Sequence, residues 1–202
     1  IYFFKKLYPF DWVNDPRKKI AGAAGGCMLV HRETLESAGG IRRIKNEIID
    51  DCALARAIKP IRPVWLGLTL RSESLRRYDR LADIWTMVTR TAFVQLRHSL
   101  WLLAGTVVGM ALIYIVPPAA TIGGLVFGAP ILALCGLVVW TVMAVTYIPT
   151  LRFYDRPLWH TALLPLAAMV YTLMTIGSAY MTLVGRGPTW KDRHYGMDAE
   201  NS

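Results

Sequence analysis

Between Ser99 and Leu151 the chain carries no Asp, Glu, Lys or Arg over 53 consecutive residues. About 20 apolar residues cross a bilayer as a helix, so a run of this length holds two crossings. A chain of 202 residues cannot bury such a run on all sides as a soluble core. Pro117-Pro118 stands where a hairpin is expected to turn, which gives spans over about 100–116 and 122–148. A third apolar segment covers about 158–184 and is interrupted by Pro165 and Gly177. The region 99–185 therefore reads as two to three transmembrane helices, with Gly123-Gly124, Gly128 and Gly136 as points of close helix packing. Trp101, Tyr147 and Trp159 sit at span ends, as interfacial anchors do. Three full crossings place the basic tail 186–202 on the side opposite the first half. A re-entrant third segment keeps it on the same side. Three spans are the working expectation.

Ahead of the run the pattern is polar and broken. Ala21 to Gly26 is a small-residue approach to the apolar Cys27-Met28-Leu29-Val30, which reads as a buried strand. Arg32 to Ala38 predicts a helix stopped by Gly39-Gly40. A second helix is expected from Asp50 or Asp51 to about Ile58, closed by Pro60, and Val64 to Leu68 suggests another short strand. Over 75–98, Leu81, Ile84, Trp85, Val88 and Ala92 alternate with Arg76, Arg77, Arg80, Arg90 and Arg97. A basic amphipathic stretch next to a span is the pattern of an interfacial helix.

Charge sharpens this division. The net charge is +9, and residues 1–98 hold 18 Lys and Arg against 10 Asp and Glu, a local net of +8. Basic sequence abutting a span favours the cytoplasmic face of an inner (cytoplasmic) membrane, so the expectation is a multi-pass protein with its polar part in the cytoplasm. A high pI also fits nucleic-acid binding, but the apolar run argues against that partner. Cys27, Cys52 and Cys135 show no ligand spacing, and the four histidines are not spaced for a metal. The chain opens Ile-Tyr-Phe-Phe, without Met or a signal-peptide pattern, and is expected to be the C-terminal part of something longer.

One constellation carries candidate chemistry: Ile48-Ile49-Asp50-Asp51-Cys52-Ala53-Leu54-Ala55-Arg56. Two adjacent carboxylates at a helix start can hold one ionised and aimed, as a general base requires. The plainer alternative is that Asp50 caps the helix and Asp51 fills its first turn.

The order Gly25-Gly26-Cys27-Met28-Leu29-Val30, Arg32-Glu33, Leu35, Gly39-Gly40, Asp50-Asp51, Leu54 resembles the second half of the catalytic domain of family 2 glycosyltransferases, inverting enzymes of GT-A fold. Leu7-Tyr8-Pro9-Phe10, Trp12-Val13-Asn14-Asp15-Pro16 and the tail Gly185-Arg186-Gly187 with Trp190-Lys191, Arg193 and Tyr195 resemble its hopanoid-associated branch. The resemblance implies an α/β fold, a partial GT-A domain over 1–74, followed by an interfacial helix over 75–98 and the helical membrane region. It implies Asp51 as general base, Asp50 as supporting acid, and Gly25 and Gly26 beside the substrate. It implies a nucleotide-sugar donor, a lipid acceptor of hopanoid type, and a divalent metal (Mg or Mn) on a DxD motif. That motif is absent from this chain, so the 202 residues alone are expected to be inactive. The family's Gln/Arg-x-x-Arg-Trp motif is represented at best by Met87 to Thr91, which keeps Arg90 and loses the Gln and the Trp. Asp192 stands where the tail usually has Gly. Two readings from other classes compete: a non-catalytic membrane anchor or interaction protein, and a small transporter component. The second is disfavoured by the lack of charged residues in the spans.

Overall fold

A computed structural model describes residues 1–72, 78, 80–185, 189–190 and 193–194. The chain divides into two compact units, Ile1–Asp79 and Arg80–Ser202.

The first unit contains four short helices, α1 (Tyr2–Leu7), α2 (Phe10–Asn14), α3 (Arg32–Ser37) and α4 (Asp50–Ile58), with a 3₁₀ turn over Ile41–Ile44. The expected α/β GT-A domain is not there. None of residues 1–72 lies in a strand. Met28–Val30 and Pro63–Thr69 run without helix or turn, but an extended segment becomes a strand only when another backbone pairs with it. At Leu66 a side chain takes that place. Asn14 Nδ2 donates to the Leu66 carbonyl at 3.0 Å, and the Leu66 N–H donates to Asn14 Oδ1 at 2.6 Å. One amide side chain thus satisfies both backbone groups that a ladder would have used.

Helix α3 ends as the glycine pair dictates: Gly39 (φ 93°) and Gly40 (φ 67°) take the left-handed conformation, and the Gly40 N–H returns to the Leu35 carbonyl. Helix α4 is the hub. Ala53, Leu54 and Ile58 pack with Ala38 and Ile44; Cys52 packs with Tyr8, Val13 and Leu66; Ala55 packs with Ala21 and Ala23. Val64 touches all three groups. Just past α4, the Lys59 ammonium donates to the carbonyls of Val13 (2.7 Å), Ile20 (2.6 Å) and Trp12 (3.2 Å), tying the α2 end and the following loop to the hub. Burial lowers the Lys59 pKa, against the smaller opposing pull of Asp15.

The second unit holds α5 (Leu81–Gln95), α6 (Leu100–Met110), α7 (Val116–Val126), α8 (Pro130–Phe153) and α9 (Leu164–Leu183). A two-residue hairpin pairs β1 (Thr189–Trp190) with β2 (Arg193–His194). Three helical stretches are long and apolar enough to cross a membrane: Leu100–Val126, Pro130–Phe153 and Leu158–Leu183. The expected turn at Pro117-Pro118 is corrected, since the first stretch runs on to Val126 and turns at Phe127–Ala129, where Gly128 takes φ 66°. The backbone over Ala111–Ile115 widens to a π-helix just ahead of the prolines. The wider turn shifts the carbonyls that a proline ring would strike and whose donor it lacks, so the helix bends its bonding pattern instead of stopping.

Helix α7 packs against α8, and two of the four glycines singled out make that contact possible. A Cβ on Gly124 would lie 2.8 Å from Ala133 Cα, and one on Gly136 would lie 2.7 Å from the Pro117 carbonyl oxygen. Gly123 faces open space, and Gly128 serves the turn. Helix α5 starts at Leu81; residues 73–77 and 79, including Arg76 and Arg77 of the expected interfacial helix, lie outside the described residues, as does most of the tail from Arg186. Its apolar side packs on α9: Phe93 is buried, and its N–H donates to Ser178 Oγ at 3.0 Å.

Two outcomes test this description. Gly136→Val should separate α7 from α8 and cost about 1–3 kcal/mol, the usual range for overpacking, read as a lowered unfolding midpoint in detergent micelles. In the first unit the Arg17 side chain and backbone N–H hold the Asp15 carboxyl at about 2, below its ordinary 3.8. The stabilisation this lends is present above the ordinary value and disappears as pH falls through about 2. Asp15→Asn should remove that acid limb from the unfolding profile and leave the neutral-pH profile of the other carboxylates in place.

Candidate active site

The acidic pair opens α4. The residue ahead of the helix is Ile49, whose side chain offers no oxygen, so both Asp50 and Asp51 occupy the first turn, and Asp50 is not the cap. They differ in surroundings. Asp50 is exposed and accepts the Asp51 N–H at 2.9 Å. Asp51 is half-buried, and its Oδ2 accepts the Gly25 N–H at 2.8 Å, a bond between residues 26 apart in sequence. Its Oδ1 accepts the Cys52 N–H at 2.6 Å. A carboxylate so held is fixed in direction, and hydrogen bonds to an ionised acceptor are the strong ones.

The fold thus brings together Gly25 and Asp51, two of the residues expected to belong to one site. Close approach is why position 25 suits glycine: a Cβ there would meet Asp51 Oδ2 at 3.2 Å. Gly26 is different, since nothing lies within 4 Å of where its Cβ would be, and it borders open space. Arg90 lies half-buried on α5, in the second unit.

Sequence reasoning missed the groups that hold the loop onto the helix. Gly22 lies against Tyr8, whose Cδ1 would be 2.6 Å from an added Cβ. The Cys52 thiol, beneath the pair, donates to the Ala23 carbonyl at 3.6 Å, and burial pushes its pKa up, so it is a packed thiol and not a nucleophile. The exposed Cys27 lies 3.8 Å from Ser72 Oγ. The one available signal was the alternation of small residues at 21–26, which marks close packing without saying against what.

The arrangement offers one oriented carboxylate beside an opening and one exposed carboxylate as neighbour. It does not offer a metal site. Among the described residues no three His, Cys, Asp or Glu side chains come together, and Asp50 with Asp51 falls short of the donor set that the expected divalent ion needs.

No curated protein and no solved structure matches the chain. A family model does, over residues 17–202, and it corrects the expected assignment to family 2: the match is to glycosyl transferase family 21. With a carboxylate aimed beside the Gly25 turn and three helices fit for a bilayer, the chain belongs to the glycosyltransferases of family 21.

Proposed function

We propose that the protein transfers a sugar from a nucleotide-sugar to the hydroxyl of a membrane lipid with inversion, and that Asp51 is the general base. The acceptor in this reading is a hopanoid-type lipid, the catalytic part faces the cytoplasm, and the helical unit sits in the inner membrane. The acceptor oxygen attacks the anomeric carbon as the bond to the nucleoside diphosphate breaks. Asp51 takes the hydroxyl proton, and the diphosphate departs with the bonding pair. Asp50 supports Asp51 as the neighbouring acid, Gly25 and Gly26 border the acceptor, and Arg90 is given to the diphosphate only by a motif that keeps its Arg and loses the Gln and the Trp.

The single observation behind this reading is the 2.8 Å bond from the Gly25 N–H to Asp51 Oδ2. A helix-start acid with only a capping role has no need of a partner 26 residues away. Catalysis by a positioned base contributes typically about 10²–10⁴-fold, which sets the effect to look for.

The test compares three variants in membranes from cells expressing the full-length parent protein, with a panel of radiolabelled nucleotide-sugars and extraction of labelled lipid. Asp51→Asn keeps an oxygen for the Gly25 N–H but cannot take a proton, so transfer should fall by about 10²-fold or more at unchanged expression. Asp50→Asn should stay within a few-fold of the unaltered protein. Full transfer by Asp51→Asn would reduce the bond to a structural tie, and no transfer by the unaltered protein with any donor would favour a non-catalytic anchor. Gly25→Val should push the loop off Asp51 and lower transfer as well, with faster amide hydrogen exchange over residues 22–26 as its separate signature.

A further inference from the structure

We infer that Tyr8 is a positioning residue for the base: its ring seats the 21–25 loop against α4 and so holds the Gly25 N–H on Asp51. The inference rests on the reading of Asp51 as general base and adds to it what keeps that base aimed.

The loop is held at successive residues by different partners. Ala21 and Ala23 pack with Ala55 of α4, and the Ala23 carbonyl accepts the Cys52 thiol at 3.6 Å. Gly22, between them, meets the Tyr8 ring instead. That contact leaves no room for a side chain. A Cβ on Gly22 would lie 2.6 Å from Tyr8 Cδ1, 2.8 Å from its Cγ and 3.2 Å from its Cβ. Because the Tyr8 Cβ is itself among the three, turning the ring to another rotamer does not clear the space. An enlarged residue 22 must move the loop. The atoms that meet Gly22 are ring carbons and Cβ, so the seat is the ring and the hydroxyl is not needed for it.

Tyr8 is in turn fixed. It ends α1, where its N–H donates to the Phe4 carbonyl at 2.8 Å and its ring lies 5.2 Å from the ring of Phe4. It is buried with Val13, Cys52 and Leu66, and Asn14 holds Leu66 at both backbone groups. Close-packed interiors have few voids to absorb a shift, so they transmit such a constraint. Gly25 is three residues past Gly22, at most about 11 Å along the chain. A displaced Gly22 is therefore felt at the Gly25 N–H, which lies 2.8 Å from Asp51 Oδ2. Misplacing a reacting group by about 1 Å can cost on the order of 10²-fold in rate. Tyr8 thus acts on the reaction through the loop.

The test uses washed membranes from cells expressing the full-length parent protein, with the labelled nucleotide-sugar that gives most transfer to endogenous lipid. Maximal rate per enzyme and donor KM are measured for Tyr8→Phe, Tyr8→Ala, Gly22→Ala and Asp51→Asn, and for Gly22→Ala paired with each of the last-named aspartate and alanine variants. Gly22→Ala is expected to lower the maximal rate by about 10-fold or more with little change in KM. Tyr8→Ala is expected to do the same, whereas Tyr8→Phe keeps the ring and the rate. Gly22→Ala is expected to add little to Tyr8→Ala, where the ring it strikes is gone, and little to Asp51→Asn, where no base is left to misdirect. Amide hydrogen exchange over residues 22–26, on protein solubilised from the same membranes, is expected to quicken in Gly22→Ala and Tyr8→Ala but not in Tyr8→Phe.

An unchanged rate in Gly22→Ala, or full additivity in either pair, would overturn the inference while leaving Asp51 as the base. A loss in Tyr8→Phe equal to that in Tyr8→Ala would overturn it too. Full transfer by Asp51→Asn would overturn the base assignment, and the positioning role with it. Should Tyr8→Ala fail to fold, Gly22→Ala and its pair with Asp51→Asn decide the matter.

Discussion

The first unit depends on the burial of α4. Cys52, Ala53, Leu54 and Ala55 are all buried, so this helix has no broad solvent face of the usual amphipathic kind. That is possible because three of the four side chains are small, which lets neighbouring segments approach from three directions. Ala21 and Ala23 come in against Ala55, Tyr8 and Leu66 against Cys52, and Ala38 and Ile44 against Leu54 and Ile58. A helix buried around its middle meets water chiefly at its ends. Its N-terminal end carries Asp50 and Asp51, and its C-terminal end carries Lys59, whose ammonium finds three backbone carbonyls. The place of the acidic pair is thus set by packing beneath it.

What could be read from the sequence follows from what is local. The helix over Asp50–Ile58 and the glycine stop after α3 rest on residues within one or two turns, and both were legible. The strands were not, because a strand is defined by its partner. Asn14 holding both backbone groups of Leu66 across 52 residues leaves no mark in a hydrophobic pattern. The pairing of Gly25 with Asp51 was half legible: the small-residue loop and the acidic pair each stood out, while the bond between them is a tertiary fact. The contacts of Cys52, Gly22 and Tyr8 were not legible, because a buried thiol and an aromatic ring look like ordinary core until the fold places them.

In the apolar region, composition told length and missed shape. A run without charge announces helices that suit a bilayer, yet apolar side chains lie all round it and no period marks which side faces a neighbour. Pro117-Pro118 reads as a break because proline ends α-helices in water. The π-helical widening over Ala111–Ile115 absorbs the fault, and the chain gains two more turns before Gly128 reverses it. Helix α5 reads as amphipathic and therefore as a surface helix, but an apolar stripe is satisfied equally by lipid and by a packed helix. Here it is α9, through Gly177 and Ser178, that receives much of the stripe.

The geometry at Asp51 also constrains how a substrate could use it. A carboxylate oxygen has two lone pairs, and each oxygen of Asp51 already accepts one backbone N–H in the free protein. An acceptor hydroxyl must therefore take a second lone pair without displacing the Gly25 N–H. The Gly25 side of Oδ2 is closed, since even a methyl group there would touch the carboxylate. Open space lies instead at Gly26, where no atom is within 4 Å of that residue's missing Cβ. On the proposed reading the hydroxyl enters from Gly26, and the two glycines have unlike duties. Gly25 is small so that the protein can reach Asp51, and the opening beside Gly26 leaves room for the acceptor.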